Sequence, residues 1–285
     1  MIVLALQPAY PRPGTVAAAE QCLAWMRARL DELEPGAQDL VLLPEYATSP
    51  GLEDGDPIRS FARGPGGDFL RVVAAAAARL ACTTALSAPV QDGPHWFNRT
   101  LVFDRAGQLA HTYDKVHLTE VESRGLGLTP GPVAPVVEHD GLRLGFATCF
   151  DFYFAEHFEA LAAQAPDLLL CPSYQRSESA DRIRLLSRAR ALDSGAYLLR
   201  SSYAMGSEDR GGRSLVAGPD GELLAEVDGE PGVLRAEIDP HRKFVKPASH
   251  GQDPIEHRAL IEAHRQPGTY RAAGEAAASR QPGPR

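Results

Sequence analysis

Short apolar runs alternate with amphipathic stretches along the first third of this chain, and that alternation leaves few folds open. "MIVLALQ" (residues 1–7) is closed by Pro8, Pro11 and Pro13, and "DLVLLPEY" (residues 39–46) is interrupted by Pro44. Runs so short and so apolar read as strands buried on both faces. Between them, Ala19, Leu23, Met26, Leu30 and Leu33 recur on one face of a helix expected over residues 15–34. Gly66 and Gly67 precede a second helix, with Asp68 as its expected N-cap and Phe69, Val72, Val73, Ala76 and Leu80 on one side. "CTTALSAPV" follows as a third strand. The order β-α-β-α-β is that of a layered α/β fold.

The pattern then changes and returns. "NRTLVFDRAGQLAHTYDKVHL" places two strand-like runs around "DRAG", a hairpin signal. After the Gly/Pro-rich residues 125–135 come the strand "GLRLGFA", a helix over 156–165, the strand "DLLLCPS" and a longer helix over 179–194. That last helix carries Arg182, Arg184, Arg188 and Arg190, whose spacing suits a solvated or salt-bridged face. "AYLLRSS", a hairpin around "PDG", and "GVLRAEID" complete the pattern. No internal repeat, heptad run or linker is visible, so a single domain is expected over residues 1–266. Residues 267–285 have few large apolar groups and read as a loose tail.

Composition excludes several classes. The net charge of −8 argues against a nucleic-acid or anionic-membrane surface. No run approaches the roughly 20 apolar residues of a membrane helix, and the first residues lack the basic flank of a signal peptide. Cys22, Cys82, Cys149 and Cys171 stand far apart without C-x-x-C spacing, which favours reduced thiols in a cytoplasmic protein over a disulfide frame or zinc site. His95, His111, His117 and His139 form no helical metal-ligand pair, so no metal is expected.

Functional groups in layered α/β folds collect where buried strands end. Three reactive side chains stand at such places: Glu45 after "LVLLP", Lys115 after "LAHTYD", and Cys149 after "LGFAT". A thiol with an ordinary pKa of about 8.5 needs a base or a cationic neighbour to attack. Glu45 can take its proton, and Lys115 can lower its pKa and hydrogen-bond an oxyanion, with the Phe150 backbone N–H as a second donor. The bland alternatives stay open at this level: a packed core cysteine, a surface acid and a snorkelling lysine.

With these residues in place, the chain resembles the nitrilase superfamily of carbon–nitrogen hydrolases over about residues 2–239. The family's "PE" is similar to Pro44-Glu45, its "Y-x-K-x-H-L" to Tyr113, Lys115, His117 and Leu118, and its cysteine motif in part to Cys149, Asp151, Phe154 and Glu156. "R-A-R-A" at 188–191 and Ser214, Pro219 and Gly221 extend the likeness. The resemblance implies an α-β-β-α sandwich, a homodimer or higher homo-oligomer, and no cofactor. It implies Glu45 as general base, Lys115 as oxyanion stabiliser, Cys149 as nucleophile, and a second glutamate, Glu122 with Glu120 as the alternative. Phe150 for Tyr or Trp, Tyr153 for Arg, Ala155 for Pro and Asp193-Ser194 for Glu-Asn depart from the family pattern and bear on substrate choice.

The reaction implied is thiol-dependent hydrolysis of an amide or N-carbamoyl C–N bond through a thioester. A nitrilase and an acyl-transferring relative are the alternatives, and a papain-like protease is disfavoured because no His follows Cys149 in a matching strand-end context. A small-molecule substrate would be read by Tyr153, Tyr174, Gln175 and Arg176, with Asn98 and Arg99 as further polar candidates. Arg176 reads either as a carboxylate clamp or as a solvated loop arginine.

Overall fold

The computed structural model describes residues 1–133, 135–266 and 268. Within residues 1–242, a compact unit, the chain runs through β1 (Ile2–Gln7), α1 (Val16–Asp31), β2 (Leu40–Leu42), α2 (Gly55–Arg63), α3 (Pro65–Leu80), β3 (Thr83–Asp92), β4 (His95–Phe103) and β5 (Leu109–Asp114). A π-helical turn (Val121–Gly125) leads to β6 (Val137–His139) and β7 (Leu142–Phe146). A 3-10 turn (Cys149–Tyr153) precedes α4 (Ala155–Ala162), β8 (Leu168–Pro172), α5 (Ala180–Ser194), β9 (Tyr197–Ser201), β10 (Leu215–Ala217), β11 (Leu223–Glu226) and β12 (Gly232–Glu237).

Two six-stranded sheets result, ordered β12-β1-β2-β3-β4-β5 and β11-β10-β9-β8-β7-β6. In the first, β1, β2 and β3 are parallel, and β12, β4 and β5 join antiparallel. The second repeats this plan with β7, β8 and β9 parallel and β6, β10 and β11 antiparallel. A topological repeat is therefore present without a visible sequence repeat.

Strand alternation explains the layering. Val3, Ala5, Leu40 and Leu42 pack with Leu144, Phe146, Leu168 and Leu199 of the other sheet in one buried cluster. Leu4, Leu6, Val41 and Leu43 turn the other way, against Met26 and Leu30 of α1 and Phe69 and Val73 of α3. Phe158 of α4 and Ile183 of α5 cover the second sheet. The fold is an α-β-β-α sandwich.

Several local expectations need correction. Asp68 is not the N-cap of α3: the helix begins at Pro65, whose fixed φ and missing N–H suit the first position, and Asp68 bonds Arg71 within the first turn. Helix α2 leaves no apolar pattern in the sequence, because only Ile58 and Phe61 are buried on it. The run 39–46 pairs as a strand only over Leu40–Leu42, and residues 43–52 continue as a buried irregular segment. Helix α4 starts at Ala155 and ends at Ala162, short of 165, and the short β6, with only His139 buried, adds a strand that the sequence pattern does not show.

The described residues from Lys243 onward form a second unit, in which β13 (Val245–Pro247) pairs antiparallel with β14 (Pro254–Glu256), followed by α6 (His257–His264). The expected tail, 267–285, lies outside the described residues apart from Gly268. Among the described residues no helix is long and apolar enough to cross a membrane.

Candidate active site

The parallel strands of both sheets end on one side of the sandwich, where side chains face an opening on a rigid frame. Glu45 follows β2, Lys115 follows β5, and Cys149 follows β7. All three line a single cleft of about 540 Å³, together with Glu122, Phe150, Tyr153, Tyr174, Gln175 and Arg176. Two of these strand ends reverse abruptly. Tyr46 has φ +55° and Cys149 φ +48°, a left-handed conformation costing a non-glycine residue roughly 1–3 kcal/mol.

The turn at Cys149 is held from Asp151. Its Oδ2 accepts from the Thr148 backbone N–H at 2.8 Å and from the Tyr113 hydroxyl at 2.7 Å. Its Oδ1 accepts from the His117 backbone N–H at 3.0 Å and pairs with His117 Nδ1 at 2.8 Å. Thr148 and Asp151 thus close a reciprocal capping box around the cysteine. The His117 ring stacks on Phe154 with centroids 3.7 Å apart. His117 thereby orders the loop after Lys115. His117, Asp151 and His157 also form a group with metal-ligand types, but the Asp151 oxygens are already occupied by these four bonds.

Lys115 is buried among carboxylates. Its Nζ lies 2.9 Å from Glu45 Oε1, and 2.9 and 2.8 Å from the two oxygens of Glu122. Asn98 Nδ2 bridges the same acids, donating to Glu45 Oε1 at 2.7 Å and to Glu122 Oε1 at 2.8 Å. The Tyr46 hydroxyl donates to Glu122 at 3.0 Å, and the Thr119 backbone N–H and hydroxyl both donate to it at 2.9 Å. Glu120 is exposed and pairs with Arg124, so Glu122 is the glutamate that reaches the lysine.

The charge balance separates the two acids. Burial opposes ionisation of Glu122, but Lys115 and the surrounding donors outweigh it and hold its carboxyl below the usual range. Burial dominates at Glu45, raising its pKa despite Lys115, and Glu122 raises it further. Burial opposes charge on Lys115 too, yet Glu45 and Glu122 keep it protonated more firmly than an ordinary lysine. Glu45 Oε2 is buried without a partner among the described residues. Burial and then Glu45 push the Cys149 thiol well up; Lys115 acts in the expected direction and lowers it, but only partly offsets them.

The other expected substrate readers divide. Tyr153 bonds Glu178 at the cleft. Gln175 accepts from buried Arg200 at 3.1 Å, while its own Nε2 has no partner among the described residues. Arg176 is neither free nor merely solvated: it pairs with Glu53, donates to the Tyr10 hydroxyl at 3.1 Å and lies over the Tyr174 ring. Asn98 belongs to the charge cluster. Arg99 stands apart from the cleft, paired with Asp114 and Asp92. The contribution of Tyr46 is invisible in the sequence, since only folding brings it to Glu122, 76 positions away; Thr119 lies three residues from Glu122, and a threonine at that spacing is too common to single out.

The carbon-nitrogen hydrolase family model matches residues 5–243. The chain belongs to the carbon-nitrogen hydrolase family. This carbon-nitrogen hydrolase is 31% identical over 225 residues to the chloroplastic omega-amidase of Arabidopsis thaliana, covering 74% of this chain and 61% of that protein. It is 29% identical over 209 residues to the deaminated glutathione amidase of Escherichia coli O157:H7, covering 71% and 79%. The chain thus spans about three-fifths of the length of the omega-amidases it matches. A crystal structure of an amidase from Nesterenkonia sp. superposes with a TM-score of 0.70 at 21% identity, covering 95% of each chain, a likeness of fold.

Proposed function

We propose that this carbon-nitrogen hydrolase cleaves a non-peptide amide or N-carbamoyl C–N bond through a thioester on Cys149. The observation that carries the reading is the split between the two acids around Lys115. Glu122 takes the ammonium with both oxygens and stays ionised, which leaves Glu45 as the surplus carboxylate with a raised pKa. Paired acids pushed apart by their surroundings divide into a fixed charge and a proton carrier.

Glu45 takes the Cys149 proton as the sulfur attacks the carbonyl carbon, and Lys115 Nζ and the Phe150 backbone N–H hold the resulting oxyanion. The C–N bond breaks, and Glu45 returns the proton to departing ammonia or amine. Water then attacks the thioester, giving its proton to Glu45, and the acid leaves as the thiolate is reprotonated. Glu122 and Asn98 keep Lys115 and Glu45 aimed, and the free Gln175 Nε2 supplies a donor to the bound substrate. The relatives named omega-amidase and deaminated glutathione amidase support an amide over a nitrile. The four free cysteines accord with a cytoplasmic setting, and a homodimer or higher homo-oligomer is expected from the family resemblance.

The test is ammonia release from primary amides, N-carbamoyl amino acids and nitriles, with Cys149→Ala alongside. Release from amide or carbamoyl substrates that vanishes in the variant supports the proposal. Release that persists without the thiol, or only from nitriles, overturns it.

A further inference from the structure

Strand β9 carries a charge that the mechanism above does not use. Arg200 is fully buried, and among the described residues no carboxylate lies within ion-pair distance of it. Glu226, a carboxylate whose charge it feels, is taken by Arg184 at 3.0 Å and Arg213 at 3.8 Å. Neutral oxygens hold the guanidinium instead. Nη1 donates to the Gly212 and Arg213 carbonyls at 2.5 and 2.7 Å, and Nη2 donates to Gln175 Oε1 at 3.1 Å and the Ser202 hydroxyl at 3.3 Å. This cradle is built at a cost. Gly211, Gly212 and Arg213 are three successive left-handed residues, with φ +61°, +59° and +59°, and the last is not a glycine. Burial pushes the Arg200 pKa down to about 10, so the group stays charged near neutral pH.

A buried cation without a counter-charge is costly, and the strand register shows what this one faces. β7, β8 and β9 lie side by side, with Leu170 opposite both Phe146 and Leu199, and Cys171 opposite Arg200. Arg200 thus starts two strands, roughly 10 Å, from the end of β7 that leads into Cys149. Its side chain reaches Gln175, on the wall of the cleft that Cys149 also lines. Of the groups whose ionisation favours the charge on Arg200, Cys149 acts most strongly, ahead of Cys171, Glu45 and Glu226. The same contact fixes the Gln175 amide. Its oxygen must face the guanidinium, because a turned amide would set donor against donor, and the NH2 is the end left for the cleft.

We infer that Arg200 biases the proton transfer at the nucleophile: its fixed positive charge behind the cleft favours the thiolate of Cys149 over the carboxylate of Glu45, and its hydrogen bond keeps the Gln175 donor turned to the cleft. The inference rests on the proposed thioester chemistry for its meaning in turnover, while the effect on the thiol stands on the fold. As the proton passes from Cys149 to Glu45, negative charge passes the other way, toward the group that Arg200 acts on more strongly. Lys115 gives no such bias alone, since it pairs with Glu45 and Glu122 together. The guanidinium is already satisfied by neutral oxygens, so nothing has to reorganise as the sulfur becomes negative. Arg200 touches no reacting atom and is a positioning residue.

The rate at which iodoacetamide alkylates Cys149, followed by mass spectrometry at that residue in the full-length protein, reports its thiolate fraction at each pH. Arg200→Gln keeps a donor for the cradle and removes the charge. It is expected to move the half-point of the profile up by about one pH unit, the size of a unit charge acting over about 10 Å. Arg200→Lys keeps the charge and should stay near wild type. Ser202→Asp sets a carboxylate against the intact guanidinium and should raise the half-point as Arg200→Gln does, which carries the test if Arg200→Gln fails to fold. An unmoved half-point in folded Arg200→Gln or in Ser202→Asp, or equal shifts with glutamine and lysine, overturns the inference. A profile that moves as expected in a protein that releases no ammonia from any amide leaves the charge assignment standing and removes the thioester reading. Amide turnover with a profile indifferent to Arg200 does the opposite.

Discussion

At the scale of single residues, the site works by giving similar groups different surroundings. Glu45 and Glu122 share one lysine, yet only Glu45 has an oxygen left without a partner among the described residues. Glu45→Gln and Lys115→Ala are each expected to lower kcat by at least about 10²-fold while the protein stays folded, because each removes a proton carrier or an oxyanion donor. Near-normal turnover in either variant, with circular dichroism unchanged, takes that residue out of the mechanism. The pH dependence has a definite sign. Glu45 must be ionised to accept the thiol proton and its pKa is raised, so the acid limb of kcat/KM should lie above the ordinary glutamate range and vanish in Glu45→Gln. Stability follows Glu122 the opposite way. Its folded pKa is lowered, so the stabilisation it contributes is present above its unfolded value and is lost as pH falls through the folded one. Asp151 acts through the elbow, not on substrate. Asp151→Asn should lower kcat by roughly 10²-fold with little change in KM, since a small misplacement of a nucleophile is costly; a rise in KM alone argues for a different role.

Elements place these residues by close approach. A Cβ on Gly66 would come within 2.3 Å of the Thr48 carbonyl oxygen, so the first turn of α3 rests directly on the buried segment that follows Glu45. Gly66→Ala should therefore cost about 1–3 kcal/mol and reduce turnover as well, readable as a lowered denaturation midpoint with reduced kcat. Ser179 caps α5 by accepting from the Arg182 N–H at 3.2 Å. Its alanine variant should lose about 1 kcal/mol without the same loss of rate. The longer elements were legible because burial imposes their periodicity: α1 shows one apolar face and β1 an unbroken run. Helix α2 and strand β6 were not, because each buries too few side chains to leave a pattern. The three strand-end residues could be read from chemistry at the ends of apolar runs. Tyr46 could not, because its partner Glu122 lies 76 positions away along the chain, and Asp151 was legible as a motif residue but not as the anchor of Tyr113 and His117, 38 and 34 positions away.

Across the whole molecule, the reacting groups come from opposite sides of the sandwich. Glu45, Lys115 and Asn98 belong to the first sheet, and Cys149 to the second. Bridges at the site tie the two together: the Tyr203 hydroxyl to the Glu45 carbonyl at 2.8 Å, Tyr113 to Asp151, and Thr100 to Thr148 at 3.3 Å. Hollowing the layer between the sheets should then damage catalysis out of proportion to stability. Leu170→Ala, in the cluster shared by both sheets, and Met26→Ala, in the outer layer under α1, should each cost about 2–5 kcal/mol. Only the first should slow turnover at temperatures where both remain folded; equal rates for the two variants reject the idea. The distance between base and nucleophile is thus set by how two slabs rest on each other, and the enzyme's rate doubles as a gauge of their spacing. A ligand or partner that wedged or clamped the slabs far from the cleft could tune the chemistry without ever touching a reacting atom.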